Sequence, residues 1–252
     1  MGYTRTYLKQ KLAMSFAIGV NMMKSEVSLV GLTAPSATTG CHTAEELVAY
    51  AARVSNPGNQ NNLETAGKLV KYLIREQHWS PFEMVNVTME IKTTRDIARQ
   101  ILRHRSFSFQ EFSQRYAVAD QFTTRQARLQ DTKNRQNSID VRDKQLEENW
   151  QMMQTQFLRK AEDLYEAALA LGIAKEQARA VLPEGMTMST LYMAGSLRSW
   201  IHYCELRRAN GTQKEHMVIA DKCWSILQGH FPNITAAIDD MKVQVEFEKK
   251  LP

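Results

Sequence analysis

Three cysteines in 252 residues are too few for a disulfide framework, and Cys41, Cys204 and Cys223 are widely spaced with no CxxC pair to begin a zinc site. A reducing compartment is expected, and with it a cytoplasmic location. His202 and Cys204 would share a predicted helix, where packing is the plainer reading than metal ligation, so no metal is expected. Long apolar runs are missing too. The longest, such as residues 13–20, are too short to cross a bilayer, and no membrane partner is expected. The eleven glycines build no GxGxxG after a strand and no GxxxxGK(S/T) loop, and HExxH and GxSxG are equally absent. Any phosphate must therefore be held by side chains.

What is present is a moderate excess of positive charge. Lys and Arg number 32 against 27 Asp and Glu, a net +5, and nine arginines fall between positions 95 and 142. Such a surface suits phosphorylated small molecules or a nucleic-acid groove, with a solvated basic face as the plain alternative. Residues 1–25 read as an N-terminal extension. Arg5, Lys9 and Lys11 ahead of the weakly apolar residues 12–23 imitate a signal peptide, but Gly19 and Asn21 interrupt it and no small-residue cleavage site follows. A poorly ordered extension, or an upstream start with Met23 as the natural first residue, is the plainer reading.

The spacing of apolar residues predicts a short strand over 27–31 and a helix over 43–53, opened by Thr43 with Glu46 three residues on. After the break at 56–59, Leu63, Ala66, Leu69, Val70 and Leu73 predict an amphipathic helix over 62–77 that delivers His78 to its end. Val85, Val87, Met89 and Ile91 alternate with polar residues as in a half-buried strand. A helix over 94–104 follows, and it should end at Arg103-His104-Arg105, because residues turning about 100° each cannot all face one pocket. Beyond it the chain reads as extended, with Glu111, Ser113 and Arg115 on one side. Residues 123–143 read as a polar loop. A long helix then begins near Asp143 with Leu146, Trp150, Met153, Phe157, Leu164 and Ala168 as its buried stripe, ended by Gly172. Helices are also expected over 175–182, 188–208 and 212–228, and residues 231–252 read as a C-terminal helix or tail. No repeat or linker is evident, so the expected architecture is α+β: a single domain over 26–230, with a mostly antiparallel sheet against long helices.

The densest chemistry lies at 103–116: three arginines, a histidine, a carboxylate and hydroxyls between core-like segments. Arginine offers phosphate a rigid fork and stacks on flat rings, so this stretch reads as an active-site floor for a phosphorylated, planar ligand. Gln100, one turn before the triplet, could join it. Ser113 lacks a His and Asp pair for a triad and is read as a phosphate or hydroxyl binder. His78 is equally a general base, a stacking ring or a helix-terminal cation. Arg198 sits one turn before His202, and Arg207 closes the same predicted helix, where a buried guanidinium needs an anion or a ring carbonyl.

Arg103-His104-Arg105, seven residues and then Ser113 resembles the RHRx7S signature of flavin-dependent thymidylate synthases. Other features resemble that family in order: Ala52-Arg53-Val54-Ser55, His78-Trp79-Ser80-Pro81-Phe82-Glu83, Gln100, Arg179 ahead of Leu182-Pro183, and Arg198-Ser199 through Leu206-Arg207, over roughly residues 25 to 230. Departures are Met84, Gln110, Gln114 and His202. The resemblance implies conversion of dUMP to dTMP, with methylenetetrahydrofolate as one-carbon donor, NADPH as reductant, FAD as cofactor and no cysteine nucleophile. It implies a homotetramer with shared active sites. FAD would be held by Ser80, Arg103, His104, Arg105, Glu111, Ser196, Arg198 and His202. The dUMP would be held by Gln100, Arg103, Glu111, Phe112, Ser113, Gln114 and Arg115, with Arg179 arriving from a neighbouring subunit. Arg207 would contact the uracil ring and favour its ionised form, and His78 and Tyr116 would line the folate side.

Two other readings compete. One is a nucleic-acid-binding protein using the basic stretch with Phe107, Phe109 and Phe112 as a stacking platform; Glu111 and the interleaved core-like residues oppose it, and no nucleic-acid partner is expected. The other is a nucleotide-binding flavoprotein that oxidises NADPH without methylating anything.

Overall fold

The computed structural model describes residues 24–248, so residues 1–23 of the expected extension lie outside the described residues. The architecture is α+β, as expected. Its packing divides into two compact units, one of residues 25–113, 130–139 and 189–248, the other of residues 114–129 and 140–188.

The larger unit is built on a four-stranded sheet, β1 (Glu26–Leu32), β2 (Asn86–Thr94), β3 (Ser108–Glu111) and β6 (Met188–Ser196), in the order β1-β2-β6-β3. The β1–β2 and β3–β6 pairs are antiparallel, with Val27 opposite Ile91 and Phe109 opposite Met193. The alternation in β2 is as expected: Val87, Met89, Ile91 and Thr93 are buried. Helix α1 (Ala44–Ala52) starts as its sequence predicts, the Thr43 hydroxyl accepting from the Glu46 N–H at 3.1 Å and the Glu46 carboxylate from the Thr43 N–H at 3.2 Å. Helix α2 (Ala66–Arg75) is shorter than expected. Residues 62–65 instead form a turn that holds buried Arg53, whose guanidinium donates to the Asn62 carbonyl and, at 2.8 Å, to Thr65. Gln77 takes a left-handed φ of 56°, and the His78 N–H reaches back to the Leu73 carbonyl at 2.8 Å.

Helix α3 (Arg95–Ile101) leaves β2 directly. The expected helix over 188–208 is corrected: residues 188–196 are β6, and only α6 (Leu197–Arg207) is helical. Leu191 and Met193 face inward at period two, and pairing with β3 and β2 decides the conformation where the local sequence is ambiguous. Ser196 ends the strand and caps the helix, its hydroxyl accepting from the Ser199 N–H at 3.3 Å. Trp200 is fully buried and donates to the Val87 carbonyl at 3.0 Å, pinning α6 to β2. Helices α7 (Lys214–His230) and α8 (Pro232–Glu248) complete this unit. Buried Glu45 accepts from the Ile234 N–H and the Asn233 amide, both at 2.8 Å, and so caps α8 from α1. The expected loop over 123–143 contains a small hairpin of β4 (Arg128–Gln130) and β5 (Ser138–Asp140).

The smaller unit is dominated by α4 (Lys144–Ala170), capped by the Asp143 carboxylate and followed by Gly172 at φ 80°. Its expected buried stripe is corrected. Gln154, Leu158, Ala161 and Tyr165 are buried, whereas Leu146, Trp150, Met153, Phe157 and Leu164 are exposed. The period was right and the face was wrong by about one residue, or roughly 100°. A short helix, α5 (Lys175–Ala178), and a single 3-10 turn (Arg179–Val181) lead to Pro183. No helix among the described residues is long and apolar enough to cross a membrane.

Candidate active site

Helix α3 stops just before the arginine triplet. The His104 N–H bonds to the Ile101 carbonyl at 3.0 Å and the Phe107 N–H to the His104 carbonyl at 3.3 Å, so the triplet lies on a turn. Arg103 and Arg105 are exposed on it, and neither has a carboxylate partner among the described residues. His104 turns inward. Phe107 anchors the chain beyond the turn, packing edge-on against Trp200 at 4.9 Å. Gly195 permits this approach, since a Cβ there would lie 2.5 Å from the Phe107 ring.

His104 accepts at Nε2 from Arg207 Nε at 2.9 Å, and its ring meets Tyr203 edge-to-face at 4.9 Å. Burial first, then the Arg207 and Arg103 cations, lower its pKa to about 4. It is therefore a neutral imidazole at pH 7, with its proton on Nδ1. Behind it lies fully buried His216, whose pKa is lowered to about 3 by burial, Arg207 and His104. Tyr203 meets His216 Nε2 at 3.0 Å, and His216 Nδ1 meets the Gln100 side-chain oxygen at 3.3 Å. Burial also raises the Tyr203 hydroxyl well above its ordinary value. Arg207 has no carboxylate partner among the described residues.

Glu111, at the end of β3, is held by Ser189 at 2.9 Å, Arg99 at 3.3 Å and buried Arg95 at 3.8 Å. The expected extended row of Glu111, Ser113 and Arg115 is corrected. The strand ends at Glu111, and residues 114–116 form a turn. Phe112 is exposed, and its N–H pairs with the Thr190 carbonyl at 2.8 Å.

Elsewhere in the larger unit His78, Trp79, Ser80 and Arg198 line an open cleft of about 510 Å³. Arg198 donates to Glu83 at 3.0 Å. His202 packs edge-on against Trp79 at 4.7 Å. A rigid cation and flat rings thus border the cleft, with exposed His78 at its edge.

In the smaller unit Arg115 meets the Glu176 carboxylate at 3.2 Å, and Arg179 Nε donates to the Glu176 carbonyl at 3.3 Å, so these two cations gather at one residue of α5. Lys175 donates to the Tyr116 carbonyl at 2.9 Å. The Gln114 amide is buried, and its Nε2 has no hydrogen-bond partner among the described residues.

The larger unit thus brings His104, Arg207 and Gln100 into one cluster, in which the His104–Arg207 pair and the Gln100–His216–Tyr203 group meet through ring contacts, and it sets His78, Ser80, Arg198 and His202 around one cleft. Ser196 is spent on capping α6. Sequence reasoning missed Arg95, Arg99 and Ser189 as the supports of Glu111, and it missed Tyr203 and His216 altogether. A tyrosine and a histidine in line with the apolar faces of two otherwise mixed helices were the available signal, because such groups need partners when buried. Among the described residues no group of three His, Cys, Asp or Glu side chains is placed to hold a metal ion.

The sequence model of one protein family, described as thymidylate synthase complementing protein, matches residues 38–233. The chain is 52% identical over 212 residues to a probable flavin-dependent thymidylate synthase of Paramecium bursaria Chlorella virus 1, covering 84% of this chain and 97% of the relative. It is 50% identical over 216 residues to a flavin-dependent thymidylate synthase of Synechocystis, covering 85% and 99%. The crystal structure of a UMP/dUMP methylase, PolB from Streptomyces cacaoi bound with 5-Br dUMP, superposes with a TM-score of 0.75 at 27% identity, covering 88% of this chain and 97% of that one. The chain belongs to the flavin-dependent thymidylate synthase family, a family of methyltransferase enzymes.

Proposed function

We propose that this protein converts dUMP to dTMP, taking the one-carbon unit from methylenetetrahydrofolate and reducing equivalents from NADPH, with FAD as cofactor. The observation that carries the reading is the Arg207 guanidinium held by a neutral His104 at 2.9 Å. A cation without a carboxylate partner suits a uracil ring that gains negative charge. In this role Arg207 stabilises the ionised ring and so makes its carbon nucleophilic. Gln100, Arg103, Glu111, Phe112, Ser113, Gln114, Arg115 and Arg179 bind the nucleotide, and His78 lines the folate side.

The residues fit a flavin. Arg103 and Arg105 are exposed cations suited to its phosphates, and Arg198, Trp79 and His202 offer a fork and flat rings beside an open cleft. Ser80, His104, Glu111 and Ser196 complete the proposed set. When bound, FAD supplies the hydride that no side chain can. None of the cysteines serves as nucleophile in this scheme. All three are buried, and burial raises the Cys223 thiol well above its ordinary value. A homotetramer with shared sites is part of the proposal, and the exposed apolar row on α4 supports it.

Purified protein given dUMP, methylenetetrahydrofolate, FAD and NADPH should form dTMP; its absence from the products overturns the reading. NADPH oxidation without dTMP would favour the flavoprotein that does not methylate. The nucleic-acid reading is disfavoured because Arg95 and Arg99 are engaged with Glu111.

A further inference from the structure

A one-way hydrogen-bond chain runs through the buried side of the larger unit. Gln213 Nε2 donates to the Glu215 carboxylate at 3.0 Å, and Gln100 Nε2 donates to Gln213 Oε1 at 2.7 Å. Gln100 Oε1 faces His216 Nδ1 at 3.3 Å, and His216 Nε2 faces the Tyr203 hydroxyl at 3.0 Å. An ionised carboxylate only accepts, and this fixes every later link. Gln213 must offer its N–H to Glu215 and its oxygen to Gln100, and Gln100 must then turn its oxygen to His216. His216 must carry its proton on Nδ1 and accept at Nε2, so Tyr203 donates.

We propose that Tyr203 and His216 are positioning residues for the pyrimidine nucleotide: they lock the Gln100 amide in one orientation, so that its remaining N–H always meets the ligand from the same side. Reversing that amide would set its N–H against the His216 Nδ1–H and its oxygen against the Gln213 oxygen, losing two bonds and facing like against like. The burial of His216 and its fully neutral state keep its two nitrogens distinct, one donor and one acceptor. Without this pair only Gln213 would hold Gln100, and one link does not prevent rotation about the side chain. The inference rests on the proposed role of Gln100 in binding dUMP.

The first test needs no variant. Nitrogen-15 histidine NMR of the flavin-loaded protein at pH 7 should show His216 neutral with its proton on Nδ1; the Nε2–H form overturns the chain. The second measures dUMP affinity by calorimetry. His216→Leu should weaken it roughly fivefold to tenfold, the scale of a lost buried hydrogen bond, with flavin affinity unchanged. His216→Asn, which returns an N–H at the Nδ1 position, should recover most of it. Tyr203→Phe should weaken binding by a smaller factor, and it serves if His216→Leu does not fold. In a Gln100→Ala background, replacing His216 should add nothing. If Gln100→Ala weakens binding while neither His216→Leu nor Tyr203→Phe does, or if the His216 effect persists in full without Gln100, the inference fails and the functional reading stands. Wild-type protein that does not bind dUMP overturns the functional reading itself.

Discussion

Arg207 donates through Nε to Nε2 of His104 at 2.9 Å, so two groups of basic character meet as donor and acceptor, not as like charges. The contact requires an imidazole without a proton at Nε2, and the site supplies one. Burial and the neighbouring cations hold the His104 pKa at about 4.

Replacing Arg207 should therefore act on both partners. Arg207→Ala is expected to lower turnover by about 100-fold or more, the scale for losing a group that stabilises developing negative charge, while bound flavin persists. In the same variant the His104 pKa should rise from about 4, because one of the cations lowering it is gone. Arg207→Lys should restore charge but little turnover, since a lysine does not reproduce the fork. Steady-state kinetics, the visible spectrum and histidine NMR report these three effects. Unchanged kinetics in Arg207→Ala would remove it from the proposed role.

Acid should destabilise the protein in a defined window. The folded values of about 4 for His104 and about 3 for His216 lie below the ordinary 6.5 of the unfolded chain. Above pH 6.5 both states are neutral at these positions and the full stability is present. As pH falls the unfolded chain takes up protons that the folded one refuses, so stability declines from pH 6.5 toward pH 4 and, for His216, onward to about 3. The limiting slope is about 1.4 kcal/mol per pH unit for a fully buried histidine. Urea midpoints at a series of pH values should fall accordingly, and His216→Leu should show a shallower decline. Equal slopes in the two proteins would contradict the assignment.

Glu111 is expected to couple stability to binding. It joins Ser189, Arg99 and buried Arg95, and Glu111→Gln keeps the shape while removing the charge. Loss of its charge-assisted bonds should cost about 1–3 kcal/mol and weaken dUMP binding. Denaturant titration and calorimetry would separate the two effects. A variant of wild-type stability would mean that Arg95 is satisfied without Glu111.

The exposed row on α4 predicts self-association. Trp150→Glu with Phe157→Glu should leave the α4 fold intact, since neither side chain is buried, and should reduce the assembly seen by light scattering. Assembly as large as wild type would place the subunit contacts elsewhere.

Much of this was legible in short-range pattern. The Thr43 and Glu46 capping box, the alternation in β2, the Asp143 cap and Gly172 are signals within a few residues, and each element formed where its signal lay. The triplet could be expected to end its helix from angular spacing alone. Longer-range choices were not legible. Residues 188–196 fit either period until β2 and β3 were there to pair with them. The face of α4 that turns inward depends on what packs against it, as with Arg125, whose N–H bonds to Gln154 at 2.9 Å. The meeting of Tyr203 and His216 with Gln100 joins two consecutive helices to a segment more than a hundred residues earlier in the chain, and no short-range pattern announces that long-range contact.

Helix α6 carries Arg198 near its start and Arg207 at its end, nine positions apart. At about 100° per residue the two guanidinium stems leave the helix roughly 180° apart. Arg198 reaches Glu83 beside the cleft, while Arg207 reaches His104. One rigid element thus offers its two cations back to back, and in the proposed tetramer a site that sets flavin against nucleotide is expected to take Arg198 from one copy of the chain and Arg207 from another. Two inactive proteins, one with Arg198→Ala and one with Arg207→Ala, should then repair each other when unfolded and reassembled together, because some mixed sites receive an intact arginine from each parent. If mixing restores nothing, each site draws both arginines from a single copy.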